Sequence, residues 1–251
     1  MPNLILATTA PGEPEIFHSL QGEGVAVGRP SVFVRLSGCN LRCHWCDTPY
    51  TWNFEGTDHR HRDDRPEASA KHSRDANRVV WRVERVAEAV RAFDCHHLVL
   101  TGGEPLLQQP ALAALCELLG PGYHVEIESN GTVPLTPGFD PHVHQLNLSP
   151  KLSHSGNGDA ERLKPDVLAG FAKNGRAWFK FVVAGPEDVA EVDALAATIG
   201  IAPERILLMP EGVTSAAVRE RRAWLAPICL ARGYRVSDRL HIHLYGDTRG
   251  T

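Results

Sequence analysis

Three cysteines, Cys39, Cys43 and Cys46, stand within eight residues in the spacing CxxxCxxC. A closed structural zinc site needs a fourth ligand. Three thiolates on one short loop instead hold three corners of an iron-sulfur cube and leave its fourth iron open to a small molecule. Cys95, Cys116 and Cys229 lie far from this loop and from one another. Six cysteines so distributed make no disulfide framework; they indicate a reducing compartment, with the three distant thiols as small buried apolar residues. Two further features bear on chemistry. Gln21-Gly22-Glu23-Gly24 sets two polar side chains beside glycines that allow a tight turn or a close ligand approach, and a plain hairpin turn would use the same residues. Arg35 interrupts the apolar run Ser31 to Leu36, and a buried guanidinium requires an anion, from a structural salt bridge or from a ligand.

The elements that must position these residues alternate. Ser31–Leu36 reads as a buried strand, with the cysteine loop hanging from its carboxyl end. Val83, Val86, Ala87 and Val90 mark a helical face, followed by a strand at His97–Thr101, helical spacing over Leu107–Leu119, and strands at Tyr123–Glu128, Gln145–Leu148, Ala177–Val183 and Arg205–Met209. Helices are expected over 186–199 and 214–232. This alternation predicts an α/β fold, a partial, open βα-barrel of about six mainly parallel strands, too few to close an eight-stranded barrel. In such sheets ligands sit at the carboxyl ends of strands, and there the polar motifs fall: Cys39 to Thr48, Gly102-Gly103-Glu104-Pro105, Ser129 to Thr132, Ser149-Pro150-Lys151 and Pro210-Glu211-Gly212. Each alone ends strands in any fold; together they indicate one cleft.

A chain of 251 residues suits a single domain, 1–251. Residues 55–78 break its pattern, because half of these 24 are charged and none is Val, Ile, Leu, Met, Phe, Tyr, Trp or Cys. Such a stretch buries too little to offset its ordering entropy, so a mobile surface insertion is expected, with His59, His61 and His72 solvated. A net charge of −4 argues against broad nucleic-acid binding, and no run of 18 or more apolar residues or signal-like amino terminus is present. A cytoplasmic protein acting on small molecules, without nucleic acid or membrane as partner, is expected.

CxxxCxxC with an aromatic, Trp45, before the third cysteine, and Gly102-Gly103-Glu104-Pro105 one strand later, resembles the radical S-adenosylmethionine superfamily. Ser19 to Gly24, Cys46-Asp47-Thr48 with Tyr50-Thr51-Trp52, Thr101, Ser149-Pro150-Lys151 and Arg239-Leu240-His241 further resemble the 7-carboxy-7-deazaguanine synthases. The resemblance implies a 4Fe-4S cluster on Cys39, Cys43 and Cys46, and S-adenosylmethionine held by Trp45, Asp47, Gly102, Gly103, Glu104, Ser149, Pro150 and Lys151. It implies a 6-carboxy-5,6,7,8-tetrahydropterin substrate bound by Leu20, Gln21, Gly22, Glu23, Arg35, Thr101 and His241, with Mg²⁺ on the Thr48 hydroxyl. Glycine at 103 would then permit close approach of the methionine moiety. A flavodoxin-like or ferredoxin-like electron donor and a homodimer are implied as well. The competing readings are an activase of a glycyl radical enzyme, which gives QGEG and Arg35 no purpose, and a zinc-bound structural or RNA-binding module, for which a second cysteine pair and a basic face are wanting.

Overall fold

The computed structural model describes residues 2–64 and 71–251. The chain opens with β1 (Asn3–Ala10), β2 (Glu13–Pro14), β3 (Ile16–Leu20) and β4 (Pro30–Leu36), then α1 (Arg74–Asn77), β5 (Arg78–Arg82) and α2 (Val83–Arg91). Regular alternation follows: β6 (His97–Gly102), α3 (Gln109–Leu119), β7 (His124–Ser129), β8 (Gln145–Leu148), α4 (Asp159–Arg162), α5 (Pro165–Ala172), β9 (Ala177–Val183), α6 (Glu187–Ile199), β10 (Ile206–Pro210), α7 (Ser215–Arg232), β11 (Arg235–Val236) and α8 (Leu240–Tyr245). The six expected parallel strands are present as β4 and β6 to β10, within two residues of their predicted bounds.

These six run side by side in the order β10-β9-β8-β7-β6-β4, all parallel, and β11 extends them in parallel beyond β10. On the far side the sheet turns antiparallel: β1 and β3 both pair β4, and β2 and β5 pair β1. The sheet stays open, an α/β architecture that is not a closed barrel. Helix α1 falls inside the stretch expected to be a surface insertion, and strand β5 begins at its last residue; the register of β5 with β1 runs from Asn3↔Arg82 to Ala7↔Arg78.

Alternation along each strand sorts its side chains onto two faces. Val32, Val34 and Leu36, Leu98 and Leu100, Val125 and Ile127, Phe179 and Phe181, Ile206 and Leu208 join the main apolar core under the helices. That core takes the buried stripes of α2 (Val83, Val86, Ala87, Val90) and α6 (Val189, Val192, Ala196, Ile199). Cys95, Cys116 and Cys229 are buried in it, free of disulfides, as expected. The opposite face carries a small apolar cluster, Phe17, Phe33 and Val99, further apolar side chains at Val182, Leu207 and Met209, and the polar ones Arg35, Thr101, Glu126, Glu128, Asn147 and Lys180. This inner face curls around the cavity described below.

Within 55–78, residues 65–70 lie outside the described residues, so the expected mobility is without a structural account there. The flanks are anchored. His61 is 3% exposed, contrary to the expectation of a solvated histidine, because its ring packs against Trp52 and its Nε2–H donates to the Cys46 carbonyl at 2.7 Å. Among the described residues, no helix is long and apolar enough to cross a membrane.

Candidate active site

The cysteine loop leaves β4 and is held by main-chain bonds on both sides. Gly38 N–H donates to Thr51 at 2.8 Å, Glu104 N–H donates to Gly38 at 2.9 Å and Gly103 N–H to Leu36 at 3.1 Å. A Cβ on Gly103 would run into the Gly38 carbonyl and Cys39, and one on Gly102 into the Leu36 backbone. Gly102 also sits at φ +136°, in the region that favours glycine. The double glycine therefore lets the end of β6 dock against the cysteine loop, and this packing alone requires glycine there, whether or not a ligand approaches as the sequence suggests.

The three thiols line one cavity of about 680 Å³. Leu41 N–H points at the Cys39 sulfur at 3.4 Å, Asn157 Nδ2 at Cys43 at 3.3 Å, and the Thr48 hydroxyl lies 3.6 Å from Cys46. Among the described residues no three His, Cys, Asp or Glu side chains converge on a single metal ion. Burial pushes the Cys39 thiol up to about 12 and Cys46 up to about 11, and moves Cys43 the same way. Each would stay protonated at neutral pH unless a cationic centre stabilised the thiolate, which an iron cluster does on binding. Three soft donors on one loop, with amide or hydroxyl groups near each sulfur, fit a 4Fe-4S cluster.

The same cavity brings together Trp45, Asp47, Thr48, Gly102, Gly103, Ser149 and Lys151 on the cysteine side, and Leu20, Gln21, Gly22, Glu23, Arg35, Thr101 and His241 on the other. Glu104 and Pro150, also predicted, do not line it. Glu104 is fully buried behind the wall, where its carboxylate accepts from Ser129 Oγ (2.9 Å), Asn130 N–H (2.7 Å) and Leu106 N–H (3.0 Å). It braces the ends of β6 and β7 against each other. Lys151 Nζ lies 5.5 Å over the Trp45 ring, and His154 stacks on that ring at 5.3 Å.

Arg35 has a protein counterion: its Nε donates to Glu15 at 2.8 Å, and Tyr50 Oη donates to the same carboxylate at 3.0 Å. The salt-bridge reading is therefore right for Nε. Among the described residues the two terminal nitrogens make no protein hydrogen bond, on a side chain that lines the cavity. The QGEG turn connects β3 to β4, so the hairpin reading holds too, and it is tied to the far end of the chain. Leu240 N–H donates to the Gly22 carbonyl at 2.9 Å, and a Cβ on Gly22 would collide with the His241 ring.

Sequence reasoning missed a buried charge network between these halves. Lys180 Nζ donates to Glu23 at 2.6 Å and to Glu128 at 2.8 Å. Arg239 donates from Nε to Glu23 at 3.1 Å and from Nη1 to the Gly212 carbonyl at 2.6 Å, and its third nitrogen pairs with Asp47. Burial works against the Glu23 carboxylate, but Lys180 and Arg239 outweigh it and hold its pKa well below the usual range. Burial likewise lowers the pKa of His241, keeping its ring neutral at neutral pH. A signal existed for Lys180, which like Arg35 is a lone charge inside an apolar strand, and for Glu128, which with Glu126 puts charge inside another.

A polar-lined cavity at the carboxyl ends of parallel strands, with three cysteines in CxxxCxxC on the loop after β4, defines a radical S-adenosylmethionine domain, and the sequence profile of the Radical SAM superfamily matches residues 33–145. Among curated proteins, the 7-carboxy-7-deazaguanine synthase of Pyrobaculum aerophilum is 39% identical over 94% of this chain and 95% of its own. That of Halobacterium salinarum is 36% identical over 94% and 91%. The crystal structure of QueE from Escherichia coli matches with a TM-score of 0.65 at 27% identity, covering 95% of both chains. The chain belongs to the 7-carboxy-7-deazaguanine synthase family.

Proposed function

We propose that this protein converts 6-carboxy-5,6,7,8-tetrahydropterin to 7-carboxy-7-deazaguanine with loss of ammonia, as a carbon-nitrogen lyase. The observation that carries the reading is that the three thiols, the QGEG turn and Arg35 line one cavity of about 680 Å³. An activase would need that space for a protein loop and would have no use for a guanidinium and a ring of acids within it.

When bound, a 4Fe-4S cluster on Cys39, Cys43 and Cys46 with S-adenosylmethionine supplies abstraction of a hydrogen atom from the substrate. The chain does the rest. Arg35 offers its terminal nitrogens to the substrate carboxylate, an arrangement in which a planar guanidinium binds in two places. Gln21 and Glu23, beside the Gly22 backbone, offer hydrogen-bonding groups to the pterin edge, and Thr101 closes the same wall. His241, neutral and packed over Gly22, can accept at a ring nitrogen the proton that the substrate ring loses and return it to the departing amine, so that ammonia leaves. Water is kept out at the mouth by the segment after α8: Asp247, Thr248 and Arg249 line the cavity, and the Arg249 guanidinium lies 3.5 Å over the Tyr50 ring.

We extend the reading to Mg²⁺ on the Thr48 hydroxyl and the substrate carboxylate, a hard oxygen site suited to that ion. A flavodoxin-like or ferredoxin-like reductant, a homodimer and a cytoplasmic location belong to the same proposal. The test is anaerobic reconstitution followed by incubation with the tetrahydropterin, S-adenosylmethionine and reductant, with the deazaguanine product read by mass. A brown protein that leaves the pterin unchanged would overturn the substrate. For Thr48→Ala, activity equal to the parent's at every Mg²⁺ concentration would remove the Mg²⁺ role.

A further inference from the structure

Beneath the cavity, Glu126 on β7 and His97 on β6 form a pair that the chemistry above leaves unused. Both are buried, Glu126 at 0% and His97 at 3% exposure. Glu126 Oε2 and His97 Nε2 lie 3.4 Å apart, and neither has a hydrogen bond to any other described group. The remaining contacts bear on where the hydrogens sit. Ser31 Oγ has one hydrogen and two acceptors in reach, the Arg29 carbonyl at 3.0 Å and His97 Nδ1 at 2.7 Å. In the arrangement in which the carbonyl takes it, His97 carries its hydrogen on Nδ1 and turns a lone pair at Nε2 toward Glu126. Two bare acceptors cannot face each other at Nε2 and Oε2, so that arrangement puts the proton on Glu126.

Its position follows from the surroundings. On the other oxygen, Glu126 Oε1 accepts from Asn147 Nδ2 at 2.8 Å and from Gln21 Nε2. Both amides also reach Glu128, Asn147 at 2.8 Å and Gln21 at 3.4 Å, so the two acids share their donors. Lys180, the nearest cation, is committed to Glu128 and Glu23. Among the described residues Arg29, on the exposed turn before β4, is the cation that bears on both members of the pair. On the far side His124 stacks on His97 at 4.8 Å, an unfavourable neighbour for an imidazolium. Burial and the Glu128 charge push Glu126 up to about 8, while burial, Arg29 and His124 push His97 down to about 4. A neutral pair avoids the desolvation cost of a buried ion pair whose Oε2 and Nε2 face only each other.

We propose that Glu126 is a protonated carboxylic acid that donates to His97 Nε2 and, through Oε1, fixes the amide of Gln21 in the cavity wall and that of Asn147 behind it, as a positioning residue for the substrate site. Gln21 lines that cavity and Glu126 lies behind it, so the acid sets which end of the Gln21 amide meets a ligand. With Nε2 held by Glu126, Gln21 Oε1 accepts from Glu23 N–H at 3.2 Å, and the turn is locked in one orientation. The inference rests on the proposed pterin site for its effect on binding, but not for the proton itself.

The experiment uses the reconstituted holoenzyme and two readouts. Without substrate, the infrared difference between the parent and Glu126→Gln should contain a carboxylic-acid carbonyl band at pH 7, lost as pH rises through about 8; a carboxylate band at pH 7 would overturn the proposal. With the tetrahydropterin, Glu126→Ala should raise KM about tenfold with a smaller change in kcat. Glu126→Gln should restore KM to within about twofold, because a neutral amide keeps one donor for His97 and one acceptor for Gln21 and Asn147. A Gln variant as impaired as the Ala variant would mean that the charge matters and would overturn the neutral acid. If Glu126→Ala does not fold, the infrared result decides alone. Failure of the parent to turn over the pterin would remove the proposed function and leave the infrared result standing.

Discussion

Arg239 Nε donates to Glu23 at 3.1 Å across 216 positions of sequence, and the same guanidinium pairs with Asp47, the residue after the third cysteine. One side chain from the carboxyl-terminal end thus ties the QGEG turn to the cysteine loop. Its removal leaves two acids facing the cavity, with Lys180 alone against Glu23. Arg239→Met should cost roughly 2–4 kcal/mol in denaturant unfolding, the Asp47 side being discounted for its exposure. Arg239→Lys should recover little, because an ammonium cannot reach Glu23, Asp47 and the Gly212 carbonyl at once. A lysine variant as stable and active as the parent would show that only the charge matters.

Glu23 also makes a pH prediction. Its folded pKa lies below that of a free glutamate, about 4.5. The unfolded chain therefore takes up the proton first on acidification, and stability falls as pH drops below about 4.5 toward the folded value. Urea unfolding from pH 7 to pH 3 should show a shallower loss for Glu23→Gln than for the parent. Parallel curves would place the acid sensitivity elsewhere.

The parallel strands were legible because β-branched and aromatic runs punctuated by Gly and Pro leave few other readings, and Arg35 stood out as a lone charge in one of them. The same cue marks Lys180 in Ala177–Val183 and Glu126 and Glu128 in His124–Ser129, where it went unread. Others were not legible. Glu15 meets Arg35 only because β3 folds back antiparallel on β4, and Asn157 reaches Cys43 from 114 positions away. Strand β5, Arg78–Arg82, is a short apolar run between two arginines just after the charged stretch, and it pairs β1 with Val80 and Arg82 left exposed. The motif alone marks Glu104 as a ligand, since a strand-end acid looks the same whether it faces a cavity or braces the wall behind one.

Gly103 separates these two uses of a motif. Its missing Cβ makes room for the Gly38 carbonyl, a backbone group that no rotamer change can move aside. Gly103→Ala should displace the cysteine loop, so that iron retained after anaerobic reconstitution falls well below the parent's while the fold survives by circular dichroism. Gly175→Ala, where an added Cβ meets nothing within 4 Å, is the control and should retain full iron. Full iron with impaired S-adenosylmethionine binding in Gly103→Ala would restore the ligand-approach explanation.

The charged stretch after the cysteine loop is anchored directly to that loop. Asp63 N–H donates to His61 Nδ1 at 3.2 Å, which leaves Nε2 as the donor to the Cys46 carbonyl at 2.7 Å. Arg62 N–H donates to the His44 carbonyl at 2.8 Å, and its side chain pairs at 2.5 Å with Glu211, which lines the cavity. Three contacts from two adjacent residues hold the segment over the loop as a cover. His61→Ala leaves the Cys46 carbonyl without its donor and opens a gap against Trp52, so oxygen should reach the cluster faster. The absorbance of the reconstituted variant should bleach in air several-fold faster than the parent's, while its anaerobic initial rate changes little, because His61 does not line the cavity. Equal bleaching rates would mean that the segment packs on the loop without shielding it.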